Sequence, residues 1–392
     1  MVNDRIEVSV WRFTGSAWHV VGELTYEHIE FETRFQDVGT WAMTLPFGVQ
    51  SDTIKPGRLV TTKFRGTVLT WVVSPLRWAL GDNGLLSVTV GGFDAVSMLG
   101  WPLAWPNPSL ALTLQPREGS YSGPAETVLS DLISGNLRRQ GGPFTVEPTS
   151  ARGAAVTSRP RFVNLLEESL RLAQAGGIGI RFGLVPRGED STEADLRLSF
   201  HAPLDRTTRV RMSAADGSLS TWELTEEPPT ATRAIVGGGG VGTGQALIDY
   251  TNAAAQADAA EWSGGWGSGH REVYVDGPEV GVSDPSLAEE GAKALLEGRA
   301  KRSLTMEAEE PAGTRAFETF LFDRVTAVPH PDFEIPDVVS AIKVSHEGAG
   351  DPRVTPIFGD PDVTNPDAVL ANFIRTLRRE VQAIKTNRKR GA

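Results

Sequence analysis

Residues 27–46 read Glu27-His-Ile29-Glu-Phe31-Glu-Thr33-Arg-Phe35-Gln-Asp-Val-Gly-Thr-Trp41-Ala-Met43-Thr-Leu45-Pro46. Ile29, Phe31, Thr33 and Phe35 alternate with polar or charged neighbours, and Trp41, Met43 and Leu45 resume the same two-residue period. Successive side chains on a strand point to opposite faces, so this period marks a β-strand with one face buried. The pattern extends both ways. Upstream, Ile6, Val8, Val10 and Trp11 lead to the turn Thr14-Gly15-Ser16, and Trp18–Leu24 follows. Downstream, after Lys55-Pro56-Gly57, come Leu59–Phe64, Val68–Val73 and Leu85–Val90, the last two joined across Gly81-Asp-Asn-Gly84. Strands this short and this regularly punctuated predict an antiparallel barrel or sandwich.

The texture changes after Gly100. Trp101-Pro-Leu-Ala-Trp105-Pro-Asn-Pro108 holds three prolines in eight residues and cannot sustain a regular element. A helix is predicted from Pro124 to about Leu137 and a second from about Val163 to Gln174, followed by strands at 178–184 and 196–200. Residues 208–236 again read as strands, as do 314–322, 324–327 and 338–345, while 272–275 and 287–296 read as a strand and a helix. At the end, Asn365-Pro-Asp367 precedes a predicted helix over 368–385. Its Leu370, Ile374, Leu377, Val381 and Ile384 fall at spacings of 4, 3, 4 and 3, the seam of a coiled coil. An amphipathic helix packed on its own domain gives the same pattern. The expected fold is α+β and predominantly β. It comprises an N-terminal β-barrel (1–100), an α/β domain (101–203), a second β-barrel (204–240 and 304–360), an inserted domain (241–303) and a C-terminal helix (361–392).

Composition narrows the function. A chain of 392 residues with 40% hydrophobic residues is globular, and at about 100–200 residues per domain it holds several domains. Its 42 glycines and 25 prolines supply the turns that β-rich chains need. The net charge of −11 argues against nucleic-acid binding, which needs a basic face. The absence of cysteine removes disulfides, thiol nucleophiles and cysteine-based metal sites. No signal peptide is expected at the N-terminus, and no apolar run reaches the length of a membrane span.

The motifs that carry chemistry are few. Gly237-Gly-Gly-Gly-Val-Gly242 satisfies GxGxxG, but Thr243-Gly244 prolongs the loop where a dinucleotide fold opens a helix, so a flexible loop or close backbone contact is the better reading. The six histidines form no i, i+4 or i, i+2 pair, and neither HExxH nor GxSxG occurs. Glu226-Glu227 and the Asp360, Asp362 pair are carboxylate neighbours without a distinguishing context. No catalytic residue, metal or cofactor is expected. Ten tryptophans are many. Trp101 and Trp105 in the Pro-rich stretch, and Trp262 and Trp266 in a Gly-rich one, are candidates for contact with a glycan or with a partner, as wedges between domains or subunits, the interface reading favoured because both stretches lie at proposed domain junctions.

The stretch from Phe31 to Pro46 resembles a phrase near the N-terminus of minor tail proteins of long-tailed phages that infect actinobacteria: an aromatic, then Asp/Glu-x-Gly-x-Trp-x-hydrophobic-x-Leu-Pro. Val90-Gly-Gly-Phe-Asp-Ala-Val-Ser-Met-Leu99, Pro124-Ala-Glu-Thr-Val128, Arg271-Glu-Val-Tyr-Val-Asp276, Asp323-Arg-Val-Thr326 and Val354-Thr-Pro-Ile-Phe-Gly359 match later stretches in order. The family is similar to siphophage tail-hub proteins. That resemblance implies a homotrimeric virion protein at the distal tail tip, made in the host cytoplasm and forming part of the DNA exit channel. Its implied partners are further copies of itself, the distal tail tube protein or an adaptor, the tape-measure protein, and downstream minor tail or receptor-binding proteins. The seam from Leu370 to Ile384 would then be a subunit interface. The alternatives are a tail enzyme that degrades cell-wall polysaccharide and a non-catalytic carbohydrate-binding module.

Overall fold

The computed structural model describes residues 5–46, 53–80, 86–141, 144–188, 191–213, 221–240, 242–265, 267–307, 317, 321–330, 333–348 and 350–359. The C-terminal seam (Leu370, Ile374, Leu377, Val381 and Ile384), Trp266 and most of 314–322 lie outside the described residues. Contacts divide the chain into two compact units, Met1–Thr221 with Glu307–Pro356, and Trp222–Met306 with Ile357–Ala392.

The first strands are β1 (Glu7–Phe13), β2 (Trp18–Leu24), β3 (His28–Arg34), β4 (Thr40–Leu45), β5 (Leu59–Phe64), β6 (Thr67–Leu80) and β7 (Leu86–Asp94). A middle group holds β8 (Leu103–Ala104), β9 (Tyr121–Pro124), α1 (Ala125–Arg139), β10 (Thr145–Val146), β11 (Ala155–Ser158), β12 (Val163–Asn164), α2 (Leu165–Gly176), β13 (Gly179–Pro186) and β14 (Glu193–His201). Then come β15 (Arg211–Ser213), β16 (Thr221–Glu227), β17 (Arg233–Gly237), β18 (Leu247–Tyr250), α3 (Ala253–Glu261), β19 (Glu272–Asp276) and α4 (Pro285–Glu297). The last strands are β20 (Lys301–Glu307), β21 (Arg324–His330), β22 (Phe333–His346) and β23 (Arg353–Gly359).

In the first unit, β1–β7 pair antiparallel in the order β2-β1-β5-β6-β7-β4-β3. The alternation in 27–46 maps onto burial as expected. Ile29, Phe31 and Thr33 of β3 and Trp41, Met43 and Leu45 of β4 are all buried. Phe31 packs on Trp71 with ring centres 5.7 Å apart. Two buried indoles keep their N–H groups satisfied by neighbouring threonines: Trp11 donates to Thr61 Oγ1 and Trp71 to Thr62 Oγ1, each at 2.9 Å. Gly92 lets β7 cross its neighbours, because a Cβ there would stand 1.9 Å from the carbonyl oxygen of Val72.

The barrel expected over 1–100 is not closed among the described residues. The end strands β2 and β3 are not partners. The outer edge of β3 is taken by β22, with Ile342 opposite Thr33, and that of β2 by β14, with Ala194 opposite Trp18. The sheet grows outward at both ends, so its free edges are capped without meeting.

The middle group is mixed α/β, as read from the sequence. The helix expected from Val163 starts two residues later. Asn164 caps it, its Oδ1 accepting from the N–H groups of Leu166 at 2.9 Å and Glu167 at 3.2 Å, while Gly177 ends it in the left-handed conformation. Asn164→Ala is expected to lower stability by about 1 kcal/mol, measured as a shift in the thermal midpoint. Helix α1 has proline at its N-cap and no side-chain cap. Backbone carbonyls replace it: Ala125 N–H donates to Ala154 O and Glu126 N–H to Arg152 O. Glu126 then reaches back to the same loop. It accepts from Arg152 Nη2 at 2.7 Å, Arg152 N–H at 2.8 Å and Ser150 N–H at 3.1 Å. Arg152 Nη2 also donates to Phe200 O, so one carboxylate ties α1, the 150–154 loop and β14 together.

In the second unit, β17 lies between β18, antiparallel, and β19, parallel. Ala234 and Val236 bury against Leu287 and Leu295 of α4. Helix α3 is absent from the sequence expectations, because its alanines give no apolar stripe. The loop after β17 enters a short 3-10 turn at Gly242–Gly244 and then β18, so no helix opens there. A Cβ on Gly238 would lie 2.6 Å from Val280 O, which accounts for the glycines by close backbone approach. No helix among the described residues is long and apolar enough to cross a membrane.

Candidate interaction surface

The segment from Trp101 to Gln115 contains no charged residue, although 22% of the chain is charged. It leaves β7 through a 3-10 helix at Ala95–Gly100 and continues as β8, whose Leu103 and Ala104 pair with Asn164 and Val163 of β12. Phe162 N–H donates to Ala104 O and Leu165 N–H to Pro102 O, which fastens the segment to the start of α2. Beyond Trp105 the chain forms a polar-stapled loop. Gln115 Nε2 donates to the carbonyls of Asn107 (2.8 Å) and Leu110 (2.9 Å), and its Oε1 accepts from Asn107 N–H at 2.9 Å. Asn107 Oδ1 accepts in turn from Ser109 N–H and Oγ.

This staple turns apolar side chains outward. Trp101 is 64% exposed, Leu112 61% and Leu114 67%, with Leu103, Leu110 and Val163 also exposed. Large exposed apolar groups on a soluble protein concentrate at contact sites, and depletion of charge is the compositional mark of an interface core.

The tryptophans singled out from sequence divide by role. Trp101 lies open on this surface. Trp105 is half-buried and structural: the Arg139 guanidinium sits 4.1 Å above its ring, Phe162 packs edge-on at 5.7 Å, and its backbone N–H donates to Asn136 Oδ1. In the second unit Trp262 is half-buried and ends α3, its backbone N–H donating to Asp258 O. The five leucine and valine positions of the surface are not singled out by sequence reading. Their signal is the alternation Leu110-Ala-Leu112-Thr-Leu114 with no charged neighbour, a strand-like pattern in a stretch whose prolines point to a loop.

The titratable clusters serve architecture. Asp323 is buried and accepts from Arg206 Nε at 2.5 Å and Leu204 N–H at 3.0 Å, with His201 Nε2 at 3.5 Å. Burial pushes the His201 pKa down, with Asp323 opposing. Tyr26 Oη lies 2.8 Å from His346 Nδ1, and His346 Nε2 lies 3.1 Å from the carbonyl of Gly350. That carbonyl only accepts, so Nε2 carries a proton. Among the described residues no group of three His, Asp or Glu side chains stands ready to hold a metal.

A family model described as Siphovirus ReqiPepy6 Gp37-like protein matches residues 7–360. The chain belongs to this siphovirus tail protein family. Solved structures agree on the fold. The 43 kDa tail protein of prophage MuSo2 from Shewanella oneidensis is 14% identical with a TM-score of 0.53, covering 92% of this chain and 100% of that one. A tail protein from Neisseria meningitidis MC58 is 12% identical with a TM-score of 0.51, covering 93% and 99%. Prophage tail protein gp18 from Listeria monocytogenes EGD-e is 12% identical with a TM-score of 0.50, covering 95% and 99%. None of the curated proteins matches the sequence. Membership makes the chain a virion component of the tail.

Proposed function

We propose that the chain is a non-enzymatic, trimeric hub at the distal tail tip, joining the tail tube to receptor-binding or fibre proteins and lining part of the DNA exit path. The observation that carries this reading is the set of exposed apolar side chains, Trp101, Leu112 and Leu114, on a segment of a tail protein that holds no charged residue. Its partners on this reading are two further copies, the distal tube protein or an adaptor, the tape-measure protein and downstream minor tail proteins. Two β domains per chain would place six around a threefold axis, matching a hexameric tube, and the net charge of −11 suits a channel that passes DNA without holding it.

The test is assembly. The double variant Trp101→Asp, Leu112→Asp is expected to melt as the wild type does, because both side chains are exposed. It should lose trimer formation, or capture by the tube or fibre proteins, by about tenfold or more, since burying an unpaired carboxylate is costly. Light scattering and co-purification read the outcome. Wild-type assembly by the double variant would overturn this use of the surface, and a stable dimer in solution and in particles would overturn the trimer. Clearing of host cell walls by the purified chain in zymography would overturn the non-enzymatic reading.

A further inference from the structure

The hairpin of β13 and β14 has one side that the core does not use. Antiparallel register sets Arg181 opposite Ser199 and Gly183 opposite Arg197. The alternate residues Ile180, Phe182, Leu184, Leu198 and Phe200 bury with α1 and α2. The side bearing Arg181 and Ser199 instead faces a recess of about 380 Å3 inside the first unit, whose other walls include Thr33 of β3, Thr70 of β6 and Asp94 at the end of β7. One end is fastened by the Leu184 N–H, which donates to Thr70 Oγ1 at 2.9 Å.

Within this recess the donors outnumber their partners. A guanidinium carries five N–H groups. That of Arg181 makes no hydrogen bond or close ion pair among the described residues, and burial lowers its pKa while Asp94 and Glu147 oppose that shift from a distance. The hydroxyls of Ser199 and Thr33 line the same space and are likewise without partners among the described residues. The other charges are committed. Arg197 lies 3.6 Å from Glu147, Arg34 binds Glu32 and Asp37, and Asp94 Oδ1 accepts the Val96 N–H at 2.6 Å. Three arginines against two carboxylates make the recess locally positive in a chain of charge −11. A desolvated guanidinium without an acceptor is costly, and the natural complement of its planar fork is a two-oxygen anion.

We propose that this recess is a carboxylate-binding site, with Arg181 as its anchor and Ser199 and Thr33 as accessory donors, for a small dicarboxylic acid or the acidic side chain of a partner protein. A carboxylate fits better than a phosphate dianion. Each carboxylate presents two coplanar oxygens to one guanidinium and sets one negative charge, not two, on the group nearest Asp94 and Glu147. The volume lies within the range of ordinary ligand pockets.

Five charged groups face the site: Arg34 from β3, Asp94 from the end of β7, Glu147 from the loop after β10, Arg181 from β13 and Arg197 from β14. Asp94 titrates near neutrality, because burial raises its carboxyl to about 7 against the opposing Val96 N–H and Arg181. Its protonated form removes a repulsive charge and offers an O–H donor. Carboxylate affinity therefore rises as pH falls from 8 to 6. The gain is at most about tenfold, the change in the protonated fraction of a group titrating near 7.

The experiment titrates the full chain with succinate, with N-acetylglutamate amide and with inorganic phosphate at constant ionic strength. It follows the thermal midpoint and the arginine Nε–Hε resonances. Saturable shifts with both carboxylates are expected, stronger at pH 6 than at pH 8, with phosphate at least about tenfold weaker. Arg181→Gln should weaken binding about tenfold, the effect of losing one charged hydrogen bond. Ser199→Ala, which keeps the guanidinium, should weaken it less and serves as the second variant if Arg181→Gln does not fold. Tighter binding of N-acetylglutamate amide would assign the carboxylate to a partner's side chain, and tighter succinate binding to a free acid. No saturable response in the wild type, an equal response to phosphate, or full binding by folded Arg181→Gln would overturn the site.

Discussion

Replacing Gly92 with alanine is expected to lower the thermal midpoint of the first unit by about 10 °C or to send the chain into the insoluble fraction. The new Cβ would meet backbone on two sides, 1.9 Å from Val72 O and 2.9 Å from Ser74 N. Neither atom ends a flexible side chain, so neither can turn away. The clash falls where β6 already departs from regular register against β7, between Val73 and Leu76. Trp41, opposite Gly92 on β4, also donates its indole N–H to Val72 O at 3.4 Å, so displacing that carbonyl disturbs a buried tryptophan. Overpacking costs about 1–3 kcal/mol and forced backbone strain a similar amount, and a unit of this size moves about 2–4 °C per kcal/mol. Differential scanning calorimetry measures the shift. A change below about 2 °C would mean that β6 and β7 separate at little cost. Gly91→Ala, whose Cβ would lie 2.8 Å from Trp41 O, should be the milder variant.

The second large effect is expected at Glu126. This carboxylate is 1% exposed and holds two backbone N–H groups and the Arg152 guanidinium. Removing one member of a buried ion pair costs about 3–5 kcal/mol. Arg152 is partly exposed and can turn to water, which places Glu126→Ala near the lower end, at about 3 kcal/mol. Hydrogen bonding from Arg152 holds the Glu126 pKa below the ordinary glutamate value. A depressed folded-state pKa stabilises above the unfolded value and loses that contribution as pH falls through the folded value. The gap in midpoint between wild type and Glu126→Ala should therefore be constant above about pH 5 and shrink below about pH 4. A gap that widened on acidification would refute this assignment.

The β-strands of the first unit were the most legible part of the sequence because their burial is one-sided. Ile29, Phe31, Trp41, Met43 and Leu45 bury on the period that their spacing announces. The closure of that sheet was not legible. Alternation reports which face is buried and says nothing about which strand occupies an edge; β22 and β14 reach β3 and β2 from more than 150 residues away. The starts of helices were blurred for a related reason. Val163 belongs to the apolar pattern of α2, but Asn164 supplies the cap and hands Val163 to a two-residue strand. In the interaction surface, tryptophan count pointed to Trp101 and equally to Trp105, and only packing separates an exposed indole from one roofed by Arg139. The Arg181 recess had no sequence signature, since its walls come from residues 33, 70, 94, 181 and 199.

The loop closed by Gln115 has a kinetic consequence. Its ordering entropy is spent when the chain folds, not when a partner arrives, so Leu112 and Leu114 meet an incoming surface already in place. Encounter with such a surface is limited by orientation, and its rate varies little from one variant partner to the next. Substitutions on the facing protein should then alter chiefly how long the joint lasts, so that the lifetime of the contact, more than the speed of its formation, is the quantity that sequence change can tune.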